Sequence, residues 1–204
     1  MKRYAVITID VQNDCSLPGS VMEVPGTYER RGAMQVVLEK ARACGVPIIH
    51  VVRLYNEDGG NVDAFRKPSF LAGAKCLVTG THGAEILGDL LPQNAPKLDC
   101  ERLLAGEFQE LGSNEWAMYK SRFGAFYRTE LEAFLRDQGV DTLVFMGCNF
   151  PNCPRTTIFE ACERDFNLVV VRDALSGLYE RGEEELKRIG VRLIDASDEA
   201  IRMV

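Results

Sequence analysis

Short, continuous apolar runs alternate with helical patterns along the chain, and this alternation most restricts the fold. Tyr4–Ile9 (YAVITI), 46–52 (VPIIHVV), Glu115–Tyr119 (EWAMY), 142–146 (TLVFM), 168–171 (LVVV) and 191–194 (VRLI) read as six strands. The most continuous of them lack the apolar–polar alternation of a strand with one wet face, so both their faces are expected to be covered. Helical patterns lie between them. Thr27 heads ERRGAMQVVLEKARAC, closed by Gly45, and Thr129 heads ELEAFLRDQ, closed by Gly139. A third runs over about 154–164, and EEELKRI is closed by Gly190 before a last helix capped by Ser197. Hydroxyl caps and glycine stops are the usual helix punctuation. The order predicts an α/β fold: a mainly parallel sheet with helices on both faces.

At 204 residues, the chain is expected to form a single domain over 1–204. Residues 53–115 interrupt the pattern with EDGGN turns and the amphipathic GAEILGDLLP. An excursion this long is expected to serve the pocket or an interface, and its leucines point to self-association as a homo-oligomer. A net charge of −6 argues against a generic nucleic-acid surface, which needs clustered Lys and Arg. No apolar run approaches the roughly 18 residues of a membrane span. MKRYAVITID turns polar too early for a secretory core. Cytoplasmic is therefore the expected location. Seven cysteines, an odd number without a C-x-x-C pair, read as reduced thiols.

In parallel sheets, ligands gather outside the carboxyl ends of the strands. Three polar features fall there: Asp10 after the first strand, Lys120 after EWAMY, and GCNFPNC (147–153) after TLVFM. Pro154 suits the first turn of a helix, which places Cys153 at a helix start. The positive end of the helix dipole lowers a thiol pKa, and unpaired N–H groups there can hold an oxyanion. From this loop alone, an activated thiol and a small core cysteine are equally good accounts. A nearby Lys120 would favour the thiolate, and Asp10 would serve as general base and acid. Each taken singly reads as an ordinary surface Lys or turn Asp; the set of three shifts the balance.

These residues carry a resemblance. IDVQND (9–14), KSRFGAF-x-x-T-x-L (120–131) and TLVFMG with Cys153 six residues beyond Gly147 occur in the order found in the isochorismatase-like cysteine hydrolase superfamily. The resemblance implies a three-layer, Rossmann-like fold with six mostly parallel strands, and an Asp–Lys–Cys triad at Asp10, Lys120 and Cys153. It implies a small amide, ureido or carbamoyl substrate cleaved at C–N through a thioester, without a cofactor. It further implies a cis Cys148–Asn149 peptide, an oxyanion hole from the Asn149 and Cys153 N–H groups, and a dimer or tetramer. Phe126, Cys148 and Phe150 are expected to line the substrate pocket, although a core ring accounts equally well for Phe126.

The chain departs from the pattern in places. Nicotinamidase-type members carry a metal on an Asp-x-His pair plus another His; here only His50 and His82 occur, with no such pair. No metal site is expected, and His50 reads as a core histidine. Cys15 and the FPN triplet before Cys153 also depart from the family's usual residues, which reshapes the expected pocket. Two other readings compete with the hydrolase. One is a catalytically silent relative that binds or assembles; the other is a thiol-redox protein using Cys148 and Cys153.

Overall fold

The computed structural model describes residues 3–198. Its seven strands are β1 (Tyr4–Ile9), β2 (Ile48–Val52), β3 (Gln109–Gly112), β4 (Glu115–Tyr119), β5 (Thr142–Gly147), β6 (Asn167–Leu175) and β7 (Arg192–Ile194). They form one sheet in the order β3-β4-β2-β1-β5-β6-β7, parallel throughout except for the β3–β4 hairpin. The helices are α1 (Asn13–Ser16), α2 (Arg31–Ala43), α3 (Lys67–Leu71), α4 (Cys100–Leu104), α5 (Leu131–Asp137), α6 (Cys153–Cys162) and α7 (Glu180–Arg188). The proposed final helix after Ser197 lies outside the described residues.

Both faces of the central strands are dry, which explains their unbroken apolar runs. Val6, Ile48, Val144 and Val169 pack with Met34, Val37, Leu38 and Ala41 of α2 on one face. Ile7, Ile49, Phe145 and Val170 pack with residues of α5, α6 and α7 on the other. The three-layer expectation holds, with one correction: the sheet has seven strands, not six. β3 was hidden inside the excursion because QELG is short and polar. It forms an edge with Gln109 and Leu111 buried and Glu110 exposed, and turns back through Asn114 at φ 54°.

Thr27 does not cap α2. Its hydroxyl donates to the Ser176 hydroxyl (2.9 Å), and Tyr28–Arg30 forms a 3₁₀ turn ahead of the helix. The excursion itself is a packed layer. Val52 and Leu54 continue into a small core with Ile86, Leu98, Leu103 and Leu111. His50 is buried in β2, bonded to the Thr8 hydroxyl (2.8 Å) and to Glu115 (2.7 Å), as a satisfied core histidine would be. Among the described residues no helix is long and apolar enough to cross a membrane.

Gly147, the last residue of β5, fixes where the sheet ends. It sits at φ +124°, and a Cβ there would lie 2.3 Å from the Ile9 carbonyl oxygen on the neighbouring strand. Both the dihedral and the contact require glycine. Gly147→Ala is expected to destabilise the fold by about 3 kcal/mol or more. Urea unfolding monitored by circular dichroism checks this; a loss below about 1 kcal/mol would contradict it.

Candidate active site

Backbone pairing carries one residue past each central strand and sets the site in register. The Asp10 N–H donates to Val51 O (2.9 Å), Lys120 N–H to Val52 O (3.0 Å) and Cys148 N–H to Ile9 O (2.8 Å). The residues after β4, β2, β1 and β5 therefore stand side by side along one edge. Strand order thus gathers Lys120, Arg53, Asp10 and the 147–153 loop, which are far apart in sequence.

Asp10 and Lys120 meet directly. Lys120 is fully buried and its Nζ donates to Asp10 Oδ2 (2.8 Å) and to the Arg122 carbonyl (3.3 Å). Asp10 has φ 52°, a left-handed conformation uncommon outside glycine. Its second oxygen, Oδ1, is buried and has no bonded partner among the described residues.

Cys153 is the first residue of α6, with Pro154 behind it, as the sequence suggested. It is 5% exposed. The expectation of a lowered thiol pKa is reversed. Burial pushes the Cys153 thiol up to about 12, and the Asp10 carboxylate adds to the rise; Lys120 and Arg53 pull the other way without prevailing. The dipole of one helix end and a cation already bound to Asp10 do not offset desolvation plus a facing anion. The resting sulfur is a thiol beside a carboxylate.

The approach of α6 to the lysine loop is fixed by two contacts. Thr157 accepts the Ala125 N–H (3.1 Å) while donating to the Cys153 carbonyl (2.8 Å). Glu160 accepts the Phe126 N–H (3.0 Å), and a Cβ on Gly124 would lie 2.1 Å from that carboxylate. On the other side, Ser176 holds the 147–150 loop: its N–H donates to Gly147 O (3.0 Å), and its carbonyl accepts from Phe150 (2.8 Å).

Remaining expectations divide. No peptide bond among the described residues is cis, so Cys148–Asn149 is trans, contrary to what the resemblance implied. Phe126 is a core ring beside Phe166 (5.9 Å). Phe150 is fully buried against Tyr179 (5.5 Å) and above Gly182. Cys148 is buried with Cys15, Tyr55 and Phe70, and its thiol neighbours that of Cys15. His82 lies on a 3₁₀ turn whose carbonyl accepts from Asn13 Nδ2 (2.8 Å), well separated in role from His50. Among the described residues no three His, Cys, Asp or Glu side chains cluster as metal ligands, so the donor set does not fit a nicotinamidase-type metal.

Sequence reasoning missed one group altogether. Arg53 is 1% exposed, and its Nη1 donates to Asp63 Oδ2 (2.6 Å), Ser121 O (3.2 Å) and Tyr55 Oη (3.4 Å). Its Nη2 lies 4.0 Å from Cys153 Sγ. Burial works to raise the Asp63 carboxyl, but Arg53 and the Tyr55 hydrogen bond outweigh it and hold that carboxyl below its usual range. A signal existed: Arg53 follows β2 as Asp10 follows β1 and Lys120 follows β4. Gln12 locks it in place, donating to Arg53 O and accepting from Arg53 N, both at 2.8 Å.

Comparison with known proteins agrees with this architecture. A probable inactive nicotinamidase of Arabidopsis thaliana is 30% identical over 197 residues, covering 94% of this chain and 91% of that protein. A maleamate amidohydrolase of Pseudomonas putida is 25% identical over 174 residues, covering 85% of this chain and 72% of that protein. The crystal structure of an isochorismatase family protein from Desulfovibrio vulgaris superposes with a TM-score of 0.83 at 34% identity, covering 97% of this chain and 96% of the other. The isochorismatase domain model matches residues 4–196, nearly every residue of the fold described above, and the chain belongs to the isochorismatase family.

Proposed function

We propose that the protein is a cysteine hydrolase that cleaves a C–N bond of a small amide, ureido or carbamoyl compound. The observation that carries this reading is the buried Asp10 carboxylate beside the Cys153 thiol, with its Oδ2 held by Lys120 and its Oδ1 not otherwise bonded among the described residues. A carboxylate so placed is a base waiting for a proton. Curated relatives named as amidohydrolases, and one named as an amidase, support the reaction class.

As the sulfur adds to the carbonyl carbon, Oδ1 takes the thiol proton, so no free thiolate need exist at rest. The Lys120 ammonium stabilises the charge that passes through the site. The Cys153 N–H, at the first helical position, is the donor for the developing oxyanion; the Asn149 N–H is the second candidate. Asp10 then gives its proton to the departing nitrogen, leaving a thioester. Water attacks that thioester with Asp10 again as base, and the released sulfur recovers the proton.

A second reading is a silent pocket that binds without turnover. The nearly closed, protonated Cys153 favours it, as does the likeness to a plant protein named probably inactive as a nicotinamidase. Ammonia release from a panel of small amides separates the two. Hydrolysis is expected, with Cys153→Ala abolishing both turnover and the acyl adduct seen by mass spectrometry. Asp10→Asn is expected to lower kcat by about 10²–10⁴-fold. Turnover retained by Cys153→Ala would refute the assignment.

The raised thiol gives a further expectation with a definite sign. Without substrate, Cys153 stays protonated through neutral pH, so its alkylation by iodoacetamide should be slow there. The rate should keep climbing with pH, with no plateau below about pH 9. A plateau near neutrality, read from mass-resolved labelling, would mean a resting thiolate.

A further inference from the structure

We propose that Arg53 anchors a carboxylate on the substrate, so that the preferred substrate is a small acid amide. This rests on the hydrolase reading and narrows its substrate class. The argument begins with donors that have nowhere to go. Among the described residues, all structural bonds of the Arg53 side chain fall on Nη1; Nε is buried without a partner, and the Nη2 bond is to the Cys153 sulfur at 4.0 Å. Buried unpaired donors are rare and costly, the more so on a charged group. Nε and Nη2 form one planar edge of the guanidinium, the fork that accepts the two oxygens of a carboxylate side by side. One end of that edge, Nη2, lies against the sulfur.

Local charge agrees. Arg53, Arg66 and Arg122 all lie within 4.0 Å of Asp63, so three cations meet one carboxylate, while Asp10 and Lys120 cancel each other. The surplus of two positive charges stands out on a chain whose net charge is −6. A cluster of one sign draws anions toward it. Phe123 extends the cluster outward, with Arg53 and Arg66 near its ring (6.0 and 5.7 Å) and Phe65 beside it (5.5 Å). Because the fork lies so close to the sulfur, only a short spacer fits between the carboxylate and the scissile carbonyl.

The rival account is that Arg53 merely stabilises sulfur charge during attack. Acid and neutral amides then depend on it equally. The test uses oxamate, malonamate, succinamate and glutaramate, each against its methyl ester, in two assays. Calorimetric binding to the Cys153→Ala protein reads recognition without chemistry, and kcat/KM of the native protein reads turnover. At least one of the shorter acids is expected to bind and turn over about tenfold or more better than its ester. Added salt should narrow that ratio by weakening the acid. Arg53→Gln should erase the ratio. Since it could also unfold the chain, Arg53→Met/Asp63→Leu, which removes the buried pair together, and Arg66→Gln, at a partly buried neighbour of Asp63, serve as independent variants. The former should erase the ratio and the latter reduce it.

Acids and esters bound alike, no acid bound at all, or equal losses for both on Arg53 substitution would overturn the proposal. If an acid binds through Arg53 but nothing is turned over, the carboxylate site stands and the hydrolase reading falls. If esters and acids are hydrolysed equally, the reverse holds.

Discussion

The buried ion pair between Asp10 and Lys120 is the constraint on which the site depends. Neither charge could be taken out of water alone, and an ion pair without solvent is stable only when its geometry is tight and its remaining atoms are provided for. The sheet supplies that geometry. β1 and β4 end at the same level with β2 between them, and the ladder continues one residue past each, so both groups arrive at 2.8 Å without a flexible loop. One atom is left out. Asp10 Oδ1 has no bonded partner among the described residues, at a residue whose backbone is itself in a sparsely populated conformation. Strain and an unmet lone pair at the same residue are features of a site kept ready for a ligand.

The same logic governs the sulfur. A thiol at a helix start beside a lysine suggests an anion, yet burial and the facing carboxylate keep its proton on. The helix end contributes a field, but the lysine is already neutralised by its partner. Charge pairs that are complete among themselves do little for a third group. What the arrangement offers is a proton donor and its acceptor side by side, with the acceptor's charge balanced from behind. Chemistry then begins when a carbonyl arrives and not before.

Much of this was legible from the sequence. Unbroken apolar runs such as TLVFM specified doubly covered strands because nothing else buries both faces of an extended segment. Asp10 and Lys120 were legible as residues directly after such runs, and Cys153 as the residue before Pro154 in the loop that follows one. Glycines at 45, 139 and 190 marked helix ends and occupy left-handed conformations there. Other features were not legible. QELG carries too little apolar pattern to read as a strand, and only pairing with β4 makes it one. Arg53 was read as the start of an irregular stretch, because a charged residue between VV and LY looks like a strand running out into solvent. Thr27 looked like a cap because its hydroxyl partner, Ser176, is distant in sequence.

The sequence by itself determined the layers, the strand ends and the residue types that could meet there. These are local matters, set by which segments must be dry and which bonds proline and glycine permit. Tertiary structure alone decided who the neighbours are: that β2 lies between β1 and β4, that Arg53 therefore faces the sulfur, and that the thiol keeps its proton. Those outcomes depend on distances and on exclusion of water. Both belong to the packed molecule and to no segment of it.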